Sequence, residues 1–173
     1  MMQRTSNFLI YSLKYSSILF LLYFKDVKCN NQSNTKIVSL ESRLLNKPTY
    51  IFENFINNRD KIREKTKGLS GIYLWFNKVN GKCYIGSASD LYIRINNYFQ
   101  PTYLKRAYTI VNAINKNGIN AFNLLILEIL GDSKKIDRKR RLIKEDSYLL
   151  TYLPEYDILE ILEKGSSSLN FEL

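Results

Sequence analysis

The chain has 173 residues, enough for one domain with a sizeable core plus an appendage, and 26 Lys+Arg against 16 Asp+Glu give it a charge of +10 and a pI near 9.5. This balance favours an anionic partner, nucleic acid or a membrane surface, while 45% hydrophobic and 13% aromatic content excludes a disordered basic tail. With no histidine, His-based triads, His-dependent nucleases and imidazole zinc sites are excluded; Cys29 and Cys83 alone build neither a metal cluster nor a disulfide framework and fit a reducing compartment.

Residues 8–24 (FLIYSLKYSSILFLLYF) are apolar and aromatic, but Lys14 and several serines interrupt them. The clean run at 18–24 is far shorter than the ~20 residues a spanning helix needs, so no membrane anchor is expected. With Arg4 ahead of it, the run fits either a targeting segment or a poorly ordered leader. Residues 25–36 (KDVKCNNQSNTK) form a polar, Asn-rich linker by composition. After Pro48, the spacing of Tyr50, Ile51, Phe55 and Ile62 predicts a helix ending near Lys67-Gly68. Residues 1–66 thus read as an N-terminal extension, poorly ordered or helical. Heavy use of Asn, Lys, Ile, Leu and Tyr, all with AT-rich codons, suits a compact genome such as an organelle's.

Residues 71–87 read GIYLWFNKVNGKCYIGS. Asn80-Gly81 between two β-prone runs predicts a hairpin with a two-residue loop, because both central residues of a type I′ turn need positive φ. That register sets Val79 against Lys82, Phe76 against Ile85 and Trp75 against Gly86. Strand alternation then gathers Tyr73, Trp75, Tyr84 and Gly86 on one face. Leu74, Phe76, Cys83 and Ile85 share the other, the expected core face, and Gly86 leaves an open spot beside the tyrosines.

Ser89 or Asp90 can cap a helix running to about Phe99, with Leu91 and Ile95 inward and Arg94 and Tyr98 on one face. A second helix is predicted over 105–116, with Ala107, Ile110, Val111 and Ile114 at core spacing and Asn117-Gly118 as its stop. Residues 122–130 (FNLLILEIL) predict a buried strand, and a last helix over 139–153 ends at Pro154. On that helix Leu142, Glu145, Leu149 and Tyr152 share one stripe, so Glu145 is a carboxylate in apolar surroundings, which must be paired, protonated or functional.

Taken in order, Gly71-Ile72-Tyr73, Tyr84-Ile85-Gly86, Arg94 and Glu145 resemble the motifs of the GIY-YIG nucleases, and the ten residues from Tyr84 to Arg94 are that family's usual interval. The text at 70–91, 115–130 and 153–159 is similar to intron-encoded homing endonucleases of fungal mitochondria. The resemblance covers about residues 67–162 and implies an α+β fold, a small three-stranded antiparallel sheet flanked by helices. It implies a DNA endonuclease in the mitochondrial matrix that hydrolyses phosphodiesters of double-stranded DNA as a monomer, with Mg²⁺ and no small-molecule cofactor. In such enzymes the two tyrosines, the arginine and the glutamate converge on the scissile phosphate, and the glutamate holds the metal.

Carried onto this chain, Tyr84 is the candidate to take a proton from water, and Tyr73 to orient water or phosphate. Arg94 suits the phosphate because its fork is planar and permanently charged. Glu145 offers the hard oxygen that Mg²⁺ prefers. Tyr98 stands where some members have histidine and is a further catalytic candidate. Gly86 and Ser87 are expected at the substrate. Asp157, in Pro154-Glu155-Tyr156-Asp157, stands where the family often has asparagine and is expected at the substrate, where its carboxylate would disturb the phosphate or join the metal; Asp146 follows Glu145 where glutamine is usual.

Lys134, Lys135, Arg138, Lys139, Arg140, Arg141 and Lys144 cluster around the start of the last helix, and Lys139, Arg140 and Arg141 are expected on the DNA backbone. Residues 164–171 resemble the start of a linker that in relatives leads to DNA-binding modules, so 163–173 reads as a truncated linker and the targeting half as missing. The rival readings are a repair or branch-cutting nuclease, an inactive nucleic-acid-binding remnant assisting intron splicing, and a membrane-tethered protein.

Overall fold

The computed structural model describes residues 44, 46–106 and 108–158; the 8–24 run, the 25–36 linker, Ala107 and the 163–173 tail lie outside the described residues. All described residues belong to one compact unit, Ile37–Leu173.

Its centre is an antiparallel sheet in the order β1-β4-β2-β3, where β1 is Tyr50–Phe52, β2 Leu69–Asn77, β3 Cys83–Ala88 and β4 Phe122–Asp132. The sheet therefore has one strand more than expected. Tyr50 and Ile51 belong to this added strand and not to a helix: Tyr50 pairs with Ile126 and Phe52 with Leu124, and Thr49 N donates to the Ile126 carbonyl at 2.8 Å. A three-residue β-prone run that can alternate an exposed Ile51 with a buried Phe52 gains more from the free edge of β4 than from a helical turn after Pro48. Helix α1 begins only at Arg59 (Arg59–Thr66), with Ile62 and Thr66 buried.

The hairpin forms, in a register displaced by two residues from the expected one: Phe76 faces Cys83, Trp75 faces Tyr84 and Tyr73 faces Gly86. Asn77 N donates to the Lys82 carbonyl at 2.9 Å, so residues 78–81 make the connection. Of these only Gly81 has positive φ (69°), and the Asn77 side chain takes the Val79 amide at 2.9 Å. Val79 is 67% exposed and has nothing to gain in the ladder. An even displacement keeps every side chain on its face, so the grouping of Tyr73 with Tyr84 survives.

The core lies on both faces, and its larger part is on the tyrosine side. Tyr73, Trp75, Leu124 and Ile126 pack with Phe55, Ile62, Leu91, Ile95 and Ile110 under α1, α2 (Leu91–Asn97), α3 (Pro101–Leu104) and α4 (Thr109–Asn117). Leu74, Phe76, Cys83 and Ile85 form a smaller cluster with Leu125, Leu127 and Tyr152, beneath α5 (Arg138–Tyr152). The helix expected from Lys105 starts at Thr109, because Arg106 N turns back to the Tyr103 carbonyl at 3.0 Å and Tyr108 is extended; Ile110, Val111 and Ile114 are buried as expected, and Gly118 ends α4 at φ 77°. Leu142 is 39% exposed, so the apolar stripe of α5 runs through Leu149 and Tyr152 without it.

Asp137 caps α5 by accepting Arg140 N at 2.7 Å, and Leu153, at φ 46°, ends it. The following turn, 155–158, docks on the hairpin: the buried Asn77 donates to Tyr156 Oη at 2.8 Å, and Asn80 does so at 3.1 Å. Tyr156→Phe leaves the Asn77 amide without its partner and should cost about 1–3 kcal/mol in a urea or guanidinium unfolding curve.

Candidate active site

Helix α2 is set by Asp90, whose carboxylate accepts Ile93 N at 3.1 Å and Gly68 N at 3.0 Å, and by Leu91 and Ile95, both buried. This directs Arg94 at β2. Its Nε donates to Tyr73 Oη at 3.0 Å, and that oxygen lies 3.1 Å from Tyr98 Oη. The guanidinium also stands over the rings of Tyr98 and Tyr103, at 5.8 and 5.4 Å. The Tyr84 ring lies 6.3 Å from that of Tyr73. A Cβ at Gly86 would come 2.6 Å from Tyr73 Oη and 3.1 Å from the Tyr84 ring. The open spot expected beside Gly86 is therefore filled by the tip of Tyr73, which only glycine admits.

Glu145 reaches the same strand from α5. Its two oxygens accept from Ser87 N at 2.9 Å and from Ser87 Oγ at 2.8 Å. Ser87, expected at the substrate, thus holds the glutamate. Two residues back, Asp157 accepts Ile85 N at 2.7 Å, and two further, Glu155 accepts Cys83 N at 3.1 Å. Three successive outward amides of the edge strand each meet a carboxylate. The clamp of Glu155 had no signal in the sequence, since it depends on a contact across the fold, and the aromatic platform of Tyr103 had only its short spacing from Arg94 and Arg106.

Burial pushes the phenols of Tyr73, Tyr84 and Tyr98 above their ordinary values, Tyr84 and Tyr98 well above. At Tyr84, the nearby Tyr73, Asp157 and Glu145 act in the same direction as burial, and Arg94 opposes them. Arg94 loses hydration but is held firmly in its charged form by Tyr73 and Tyr98. Burial also raises the Glu145 carboxyl, against its two Ser87 hydrogen bonds. Arg141 lowers it.

The basic run divides into two parts. Arg138, Lys139 and Arg140 are exposed, Arg141 is half-buried beside Glu145, and Lys144 is taken by Glu128 at 3.1 Å. Among the described residues no group of three or more Cys, Asp or Glu side chains converges on a metal position. A divalent cation here would rest on Glu145 plus water and phosphate oxygens, a donor set that fits Mg²⁺, which takes one or two carboxylates and keeps its waters.

The GIY-YIG catalytic domain model matches residues 69–157. The chain belongs to the GIY-YIG family. Among relatives, it is 30% identical over 83% of its length to "Probable intron-encoded endonuclease 1" of Neurospora crassa, and 34% identical over 69% to "Probable intron-encoded endonuclease bI1" of the same fungus. It spans 48% and 27% of those two proteins. The UvrABC system protein C of Ureaplasma parvum is 32% identical over 56% of the chain, which spans 14% of it. The solved catalytic domain of homing endonuclease I-TevI is 26% identical, covering 48% of this chain and 87% of that one with a TM-score of 0.41. Tyr73, Tyr84, Arg94 and Glu145 all lie in the matched region. No helix among the described residues is long and apolar enough to cross a membrane.

The raised Glu145 carboxyl gives a test by linkage. An acid raised on folding contributes stability that is complete below its unfolded value and lost as pH rises through the folded one. Ionising Glu145 therefore weakens the fold. Glu145→Gln can still accept Ser87 N and donate to Ser87 Oγ, so its unfolding midpoint at pH 7 should equal or exceed that of the wild type, with the difference vanishing toward pH 4. A lower midpoint at pH 7 would show the charge to be stabilising.

Proposed function

We propose that this chain is the cleavage unit of an intron-homing DNA endonuclease, hydrolysing phosphodiesters of double-stranded DNA with Mg²⁺ in the mitochondrial matrix, as a monomer. We read residues 67–162 as the catalytic domain, 1–66 as an extension of which β1 and α1 are built into that domain's sheet and core, and 163–173 as the start of a linker. The names of the two Neurospora relatives support intron homing. The observation that carries the reading is Arg94: a guanidinium braced by Tyr73 and two aromatic rings, beside Tyr84, with no carboxylate in the described ion pairs.

Each residue has a task that follows from its surroundings. The Arg94 fork binds the non-bridging phosphate oxygens, and its attachment to Tyr73 fixes the fork before substrate arrives, so little reorganisation is needed in the transition state. Tyr73 and Tyr98 fix that attachment. Tyr84 is a neutral phenol in the free protein that orients the attacking water; it would release its own proton to solvent once a cation is bound, and as the phenolate take the proton of that water. Glu145, locked by Ser87, would hold the cation there, and a bound Mg²⁺ would supply Lewis acidity to the phosphate and positive charge that lowers the Tyr84 phenol.

In assays on intronless target DNA with Mg²⁺, Glu145→Gln should abolish cleavage and keep weak DNA binding; equal cleavage by both proteins would refute the assignment. Asp157 favours the second reading, an inactive nucleic-acid-binding remnant assisting splicing, because its charge opposes the Tyr84 phenolate. Asp157→Asn keeps an acceptor for Ile85 N and removes the charge, which lowers the Tyr84 value. The alkaline rise of the cleavage rate should then move to lower pH, with activity at pH 7 up about tenfold, or ~1.4 kcal/mol in the barrier. No cleavage by either protein would establish the remnant.

A further inference from the structure

Tyr103 is 5% exposed, and its buried hydroxyl has no hydrogen-bond partner. Its ring receives two guanidiniums, Arg94 at 5.4 Å and Arg106 at 5.0 Å from the centroid. Local structure arranges this. The hydrogen bond from Arg106 N to the Tyr103 carbonyl, 3.0 Å, closes a turn that brings Arg106 back to the ring. Asn115 of α4 donates to the Leu104 carbonyl at 2.9 Å and ties that turn to the helix layer. The two cations stand within about 10 Å of each other, where like charges repel unless something offsets them. A π face offsets part of this repulsion. Among the described residues no carboxylate does so, the ion pairs there being Lys65–Glu64 and Lys144–Glu128.

The geometry points to a second phosphate subsite, made by Arg106 on the Tyr103 ring, that takes the phosphodiester neighbouring the one on Arg94; this rests on the nuclease reading above. Successive phosphates of a strand advance about 3.4 Å along the duplex axis, so two cations sharing one ring can reach adjacent ones. Arg106 is exposed, its fork can grip phosphate bidentately, and it keeps its stacking contact while doing so. Tyr103 is a positioning residue: its ring, with a hydroxyl that bonds nothing, sets both guanidiniums.

The test titrates the full chain with a duplex oligonucleotide, without divalent metal, across a range of salt. Arg106→Gln should reduce the slope of log Kd against log salt by about 0.9, one phosphate, and in cleavage assays raise KM more than it lowers kcat. Arg106→Lys should keep the slope and bind more weakly. Tyr103→Leu should lose the same part of the slope as Arg106→Gln, and Tyr103→Phe should restore it. An unchanged slope in Arg106→Gln, with DNA still bound, overturns the subsite and leaves the nuclease reading standing. Failure of the wild-type chain to bind DNA at any salt overturns both.

Discussion

Strand β3 is the last in its sheet, and its outward amides at Cys83, Ile85 and Ser87 have no neighbouring strand to receive them. An exposed row of that kind either pairs with another chain or must be satisfied some other way. Here Glu155, Asp157 and Glu145 accept one amide each. Carboxylates make strong acceptors for such N–H groups. The placement of Glu145 thus follows from edge chemistry: with both oxygens engaged by Ser87, its side chain is tied to the strand. The same solution brings two negative charges to bear on Tyr84. Acidity along β3, close to Tyr84, is a consequence of closing this edge.

On the opposite side of the hairpin the constraint is reversed. Tyr73 and Tyr98 place their hydroxyls inside the larger core, where an unsatisfied polar group is expensive. They satisfy each other and Arg94. The arginine is therefore a structural partner of the core at its Nε. Gly86 makes this possible by ceding the volume of a methyl group to the Tyr73 tip.

Strand alternation has period two, so the sequence alone grouped Tyr73 with Tyr84 even though it misjudged the turn. The turn was misjudged because Asn80-Gly81 carries a strong local preference, whereas the actual loop is held by Asn77 and Tyr156, 79 positions apart. The choice of core face was not legible for a related reason. Both faces of β2 are covered, and its burial is continuous from Ser70 to Asn77, so hydropathy gives no inside and outside. Caps were legible, since Asp90 and Gly118 act within their own turns. The added strand β1 was not, because three residues carry no period and their partner lies beyond Phe122. The motif residues could be placed from spacing, but Ser87 as the seat of Glu145, 58 positions away, could not.

The carboxylates that close β3 are translated 58 to 72 residues after the amides they receive. At about 5–20 residues per second, the hairpin waits several seconds on the ribosome before its edge can be covered. During that interval Tyr73, Tyr84 and Arg94 have been synthesised but Glu145 has not. A nascent chain of this protein is consequently a half-assembled site with a sticky border, and the order of synthesis makes the last helix, with the turn that follows it, the step that both completes the cluster and seals the edge.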